Sequence, residues 1–148
     1  MLKKILNLFN YNKKKEVIFL NDEIAIAALL IYAAKIDENY NSIKKELIIN
    51  LIKNYKNLEI EYLNKLVNYC EELEQNSNQI LYYTQEIKKL DYEDRLKIIE
   101  LLWKLVYSDK NLHDLGSNLM RRISGLIYVE DEETGEIKIK VKRDLGII

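Results

Sequence analysis

The segment LLIYAAKIDEN, residues 29–39, returns later in the chain as LLWKLVYSDKN, residues 101–111. Each copy is an apolar run that leads into Asp-x-Asn. A second apolar stripe follows each copy, with Ile43, Leu47 and Ile48 after the first and Leu115, Leu119 and Met120 after the second. All of these pairs lie 72 positions apart. A constant offset over about twenty residues predicts a duplicated helix–turn–helix unit.

Length and composition are those of one globular domain. Of the 148 residues, 48% are apolar and 32% are charged, which is a folded rather than a disordered balance. The chain has no proline and four glycines, so little in it interrupts helices. Its net charge of −1 creates no overall positive field, and we therefore expect no nucleic-acid partner.

The chain divides into a basic N-terminal tail, residues 1–20, and a helical domain, residues 21–148. The tail is rich in lysine and lacks the apolar core and cleavage site of a signal peptide. The longest apolar run, residues 24–34, is about half of what spans a bilayer. We expect a cytoplasmic protein whose tail either makes weak contact with an acidic membrane surface or is simply frayed.

Apolar spacing predicts two helices in and after the first copy. The first covers about residues 21–36 and is thin because it is rich in alanine. We expect the second to begin with Ser42 as its N-cap and to close at Asn57 in a left-handed conformation. Its inward stripe is predicted to contain Ile43, Leu47, Ile48, Leu51, Ile52 and Tyr55.

The same spacing continues through the rest of the chain. Cys70 lies on an apolar helical stripe, which indicates a buried small side chain rather than a reactive thiol. Asp91 and Asp94 resemble a capping box at the start of a long helix. Gly125, within a later helix, suggests a close helix crossing. Ile137, Ile139 and Val141 alternate with lysines as in a strand, but we favour a helix over residues 134–145.

Both turns after the repeated segments carry alternating oxygen-bearing side chains, Asp37 and Asn39 in one and Asp109 and Asn111 in the other. Oxygen ligands at alternate positions are typical of loops that wrap a hard cation such as Ca²⁺. The same residues cap helices, so two capped turns without an ion are the alternative. Neither loop has the glycine and the glutamate that an EF-hand requires.

No catalytic constellation is visible in the sequence. His113 is the single histidine, which is too few for a multi-histidine zinc site. The chain also has no glycine-rich phosphate loop, no Cys-x-x-Cys pair and no nucleophile elbow. We therefore expect a protein that is not an enzyme.

Three segments carry a family resemblance: AALLIYAAKID at residues 27–37, IELLWKLVYSD at residues 99–109 and NLMRRI at residues 118–123. Together they resemble the tellurite-resistance TerB-like family, and the N-terminal helical domain of DnaJ-like membrane co-chaperones is similar. The resemblance implies a bacterial all-α protein, a pseudo-two-fold bundle of about seven helices. It further implies a cation site between the halves, formed by the repeated aspartates with acidic residues of the following helices.

The chain departs from the family pattern at both turns. The family has glycine after each aspartate, where this chain has Glu38 and Lys110. It has glutamate seven residues after each aspartate, where this chain has Lys44 and Gly116. A divalent site needs several anionic oxygens, so these departures weaken the metal hypothesis without affecting the fold.

We expect a non-enzymatic TerB-like domain in a stress-linked assembly, with an unidentified protein partner. Any cofactor is expected to be a divalent cation such as Ca²⁺. Its candidate ligands are Asp37 and Asp109, followed by Glu46, Asn39, Asn111 and Asp114. The alternative is a structural module without metal that meets a protein or a membrane surface.

Overall fold

A computed structural model describes residues 17–73, 77–109 and 112–147. These residues form seven α-helices and no strand, as expected for an all-α protein. The helices are α1 (Asn21–Ala34), α2 (Ser42–Lys56), α3 (Ile60–Glu72), α4 (Ser77–Lys88), α5 (Tyr92–Ser108), α6 (His113–Leu126) and α7 (Asp131–Asp144).

Helices α1 and α5, which contain the two repeated segments, form the centre of the bundle. Helix α1 packs against α2, α3, α4 and α5, and α5 packs against α1, α2, α6 and α7. Nearly every side chain of α1 from Ala25 to Ala34 is buried, because its alanines allow neighbours to approach on all sides. A helix that is apolar all round lies inside a core. The two-fold relation between the repeats stays a prediction.

The helix ends confirm one predicted cap and correct two others. Asn57 closes α2 in the left-handed conformation, with φ 53° and ψ 45°. The N-cap of α2 is Asn41 rather than Ser42, since the Asn41 side chain accepts a hydrogen bond from the backbone N–H of Lys44 at 3.0 Å. Asp91 is the N-cap of α5, but its side chain accepts no capping hydrogen bond in the described residues, so the predicted capping box is wrong.

The C-terminal segment is a helix, as predicted. Its acidic first turn and basic last turn both match the helix dipole. The indole N–H of Trp103 donates to the backbone carbonyl of Thr134 at 3.1 Å, and Val141 is fully buried. These contacts hold α7 against α5.

A close helix crossing occurs at Gly116 and not at Gly125, where it was predicted. A Cβ atom added at Gly116 would lie 2.4 Å from Cγ1 of Val106, so α6 approaches α5 more closely than any side chain allows. A Cβ added at Gly125 meets nothing within 4 Å. Both glycines lie in the same helix, and only the tertiary packing distinguishes them.

The predicted apolar stripe of α2 is wrong at its first position. Ile43 is 77% exposed, and Leu115, its counterpart in the second copy, is 43% exposed. The next residue points inward in each copy: Lys44 in α2 and Gly116 in α6 are buried. The first turns of α2 and α6, the helices that follow the repeated segments, are therefore rotated about the helix axis. The rotation is about one residue from the orientation that hydrophobicity predicts.

Phe19 precedes α1 and contacts the rings of Tyr62 and Tyr69 in α3, with centroids 5.4 and 5.3 Å apart. Residues 1–16 lie outside the described residues, so the boundary of the basic tail stays a prediction. None of the described helices has the length and hydrophobicity to cross a membrane.

Candidate functional site

The turn after α1 is built around the side chain of Asp37. Its Oδ1 atom accepts a hydrogen bond from the backbone N–H of Asn39 at 3.1 Å, which fixes the turn that leads into α2. Glu38 has a φ of 59°, in the left-handed region that glycine adopts most easily. At the position where the resemblance led us to expect glycine, this chain therefore has a glutamate with a positive φ.

Lys44 joins this turn to the end of α5. Its side chain is only 3% exposed, and its ammonium donates to Oδ1 of Asp37 at 2.6 Å and to the backbone carbonyl of Ala34 at 3.1 Å. The same Nζ lies 3.3 Å from Oδ2 of Asp109. The two repeated aspartates therefore converge on one point, and a lysine side chain occupies it.

Asp37 is ionised in this environment. Burial by itself raises the pKa of the Asp37 carboxyl, but the hydrogen bonds from the Lys44 ammonium and the Asn39 N–H outweigh it and lower the pKa below 3.8. The Asp37 side chain is 7% exposed. Its second oxygen, Oδ2, is buried and has no hydrogen-bond partner in the described part of the chain.

The structure brings together two of the six predicted ligands, Asp37 and Asp109. Asn39 is exposed and contributes its backbone N–H to Asp37. Glu46 is also exposed and lines a cleft between α2 and α3, on the side of α2 away from Lys44. Asp114 is exposed in the first turn of α6, and Asn111 lies outside the described residues.

The two positions where the resemblance led us to expect glutamate, Lys44 and Gly116, have different surroundings. At position 44 the lysine ammonium donates a hydrogen bond to the backbone carbonyl of Ala34. At position 116 the glycine packs against the side chain of Val106. Ala34 and Val106 are themselves a repeated pair, 72 positions apart. A glutamate at position 116 would clash with Val106, so the space between α6 and α5 at this position does not accommodate a carboxylate side chain.

These donors are a poor fit for a divalent cation. Such an ion needs several anionic oxygens to offset its dehydration, and the described residues contain no group of three or more His, Cys, Asp or Glu arranged to hold a metal. The ammonium of Lys44, bound to Asp37 at 2.6 Å, also repels a cation at the shared point. Metal binding by the six candidate ligands stays a prediction, which titration of the protein with Ca²⁺ would test.

The sequence identified Lys44 as a departure that weakens the metal hypothesis but did not predict that Lys44 bridges the two aspartates. The available signal was its spacing: a lysine seven residues after Asp37 stands one turn into the next helix, within reach of the preceding turn. The approach of Asp109 to Lys44 has no local signal, because it depends on the packing of α2 against α5.

A family model described as tellurite resistance protein TerB matches residues 23–139, which is well over half of the chain. No curated protein and no solved structure matches the sequence.

Proposed function

Because this chain belongs to the TerB family, we propose that it is a non-catalytic domain of the stress-linked, tellurite-resistance type that binds a partner protein in the cytoplasm. The observation that carries the proposal is the convergence of Asp37 and Asp109 on Lys44. The space between the two repeated aspartates is occupied by the side chain of Lys44. The outer surface is then the part that meets another molecule.

Some other polar contacts of the bundle join one helix to another. The Tyr62 hydroxyl donates to the buried carboxylate of Glu23, which joins α3 to α1. The Tyr55 hydroxyl donates to Asp94 at 3.1 Å and joins α2 to α5. Such contacts position the helices relative to one another.

The displaced pKa values also support a non-catalytic role. A general acid or base works best with a pKa near the operating pH. In the described residues the resolved pKa shifts all move away from neutrality. They are downward for Asp37 and Glu100, and upward for Lys140, for Cys70 and for six tyrosines, Tyr40, Tyr55, Tyr62, Tyr83, Tyr92 and Tyr107. Burial is the largest cause of the rise at Tyr40 and Tyr62, followed by hydrogen bonds to Glu71 and Glu23.

A tellurite challenge tests the stress-linked part of the proposal. We expect a strain without this gene to grow less well on tellurite than its parent, and the intact gene to restore growth. Proximity labelling from the tagged chain, with and without tellurite, would identify the partner. Equal growth of the deletion strain and its parent would contradict the stress-linked role.

A second candidate is contact with an anionic membrane through residues 1–15. This segment has five lysines, Lys3, Lys4, Lys13, Lys14 and Lys15, and its apolar residues Leu2, Ile5, Leu6 and Phe9 are spaced for one helical face. Clustered lysines near an apolar face favour a negatively charged lipid surface.

Flotation with liposomes containing anionic lipid separates the two candidates. The full chain is compared with a variant in which the five lysines are glutamine. Lipid binding by the wild type that the variant loses would favour the membrane candidate, whereas no binding by either protein would exclude it. The variant keeps residues 17–147 unchanged, so their folding serves as the control.

A further inference from the structure

We infer that the ammonium of Lys44 supplies, from within the chain, the positive charge that a metal ion would bring to the paired aspartates, so that this bundle needs no divalent cation to join its two repeat units. The inference rests on the position of one side chain relative to two carboxylates. It does not depend on the identity of a partner.

The geometry places Lys44 where a shared cation would lie. Asp37 lies near the end of the first repeated segment and Asp109 near the end of the second, and the Nζ atom of Lys44 lies 2.6 Å and 3.3 Å from their oxygens. A cation bound by both aspartates would occupy the same point. Lysine and metal therefore exclude each other, both by volume and by charge.

The ammonium also has the partners that a buried charge requires. It has three N–H donors, and three oxygen atoms lie within 3.3 Å of Nζ: one from Asp37, one from Asp109 and the carbonyl of Ala34. A buried charge is tolerated when it is paired and hydrogen-bonded in this way. A lysine at position 44, where the resemblance led us to expect a glutamate, thus supplies a counter-charge in place of an anionic ligand.

In the described part of the second repeat, the position equivalent to Lys44 carries no carboxylate. Gly116 stands at the equivalent position, and its contact with Val106 leaves no room for a side chain. Glu46, the other carboxylate considered from the sequence, faces the cleft between α2 and α3. The described carboxylates at this point are therefore Asp37 and Asp109, and both contact Lys44.

Thermal unfolding of the full chain tests the inference with a pair of neighbouring lysines. Lys44→Met keeps most of the length of the side chain and removes its charge. Lys45→Met is the matched control, because Lys45 is 31% exposed and pairs with Glu71 at the surface. Breaking a buried pair is far more destabilising than breaking a surface pair. We expect the melting temperature to fall by about 10 °C for K44M and by about 2 °C for K45M.

Cation dependence is measured on the wild type by melting and calorimetry, with millimolar Ca²⁺, with millimolar Mg²⁺ and with a chelator. A ligand that binds only the folded state raises the melting temperature. We expect the same wild-type melting temperature in all three conditions and no heat of binding. Lys44→Glu replaces the ammonium by a carboxylate, and its melting temperature is expected to rise with Ca²⁺.

Two results would overturn the inference. One is Ca²⁺ uptake by the wild type with a higher melting temperature, and the other is an equal effect of K44M and K45M. If K44M does not fold, Asp109→Asn is compared with Asp114→Asn, an exposed aspartate near the start of α6. A larger fall for D109N supports the bridge, whereas equal effects of the two variants contradict it.

Discussion

Lys44 at the start of α2 forms an ion pair with Asp109 at the end of α5, with Nζ and Oδ2 3.3 Å apart. The two residues come from different copies of the repeat and are brought together only by the packing of α2 against α5. The same lysine holds Asp37, so one buried side chain links both repeated turns.

Asp37→Asn is expected to change the pH dependence of stability. The pKa of Asp37 is lowered in the folded protein, so its contribution to stability is fully present above pH 3.8 and is lost as pH falls through the folded-state value. At pH 7 we expect D37N to be less stable by about 3 kcal/mol, because the Lys44 ammonium loses a charged partner. Urea unfolding between pH 7 and pH 3 measures both proteins.

The difference between wild type and D37N should stay constant from pH 7 down to about pH 4 and shrink as pH falls below 3.8. A difference that stays constant below pH 3.8 as well would mean that the Asp37 charge does not contribute to stability.

Gly116→Ala is expected to destabilise the bundle by about 1 to 3 kcal/mol, because the new methyl group meets Val106, whose branched side chain has little freedom to move. Gly125→Ala in the same helix is the control. A Cβ at position 125 meets nothing within 4 Å. The higher helix propensity of alanine should therefore raise the free energy of unfolding of G125A by about 0.5 to 1 kcal/mol. Denaturant titration compares the two variants, and a Val106→Ala background should reduce the effect of G116A.

Cys70 is expected to react slowly with thiol reagents in the folded protein. Burial, followed by the nearby charge of Glu71, raises the pKa of the Cys70 thiol to about 12. Its sulfur also contacts the backbone carbonyl of Ile24 at 3.7 Å. Since the thiolate is the reactive form, modification at pH 8 should follow the rate of unfolding.

The control for this measurement is Asn118→Cys in a Cys70→Ala background, since Asn118 is exposed on α6. Equally fast modification of Cys70 and of the cysteine at position 118 would show that the interior is open to solvent.

Tyr62→Phe is expected to lower stability by about 1 to 3 kcal/mol, because it removes the hydroxyl that donates to the buried carboxylate of Glu23. Tyr82→Phe serves as the control, since Tyr82 is 53% exposed, and should change stability by less than about 0.5 kcal/mol. Chemical denaturation measures both variants. Equal losses would mean that the Tyr62 hydroxyl is not a significant tie between α3 and α1.

Local features of the sequence predicted most of the helices. The helical periodicity placed Cys70 in the core, and the asparagine at position 57 closed α2 in the left-handed conformation. The helix over residues 134–145 was also predicted correctly, since α7 covers Asp131–Asp144. These features depend on residues a few positions apart, whose relation is fixed by the backbone geometry of a helix.

The predictions that failed concern the orientation of a helix about its own axis, which decides the residues that face the interior. Hydrophobicity assigned Ile43 to the interior, yet Ile43 is exposed and Lys44 is buried. Gly125 was expected at a helix crossing that in fact occurs at Gly116. In both cases the deciding contact comes from another helix, which the local pattern does not contain.

The sequence by itself determined that this protein is a helical TerB-family chain with two aspartate-bearing turns. Family motifs and helical periodicity depend only on residues that are close together in the chain. Only the tertiary structure decided that Asp37 and Asp109 meet at a buried lysine. A lysine is buried only where acceptors surround its ammonium, and one of these acceptors comes from the far end of α5, a helix that reaches Lys44 only when the chain folds.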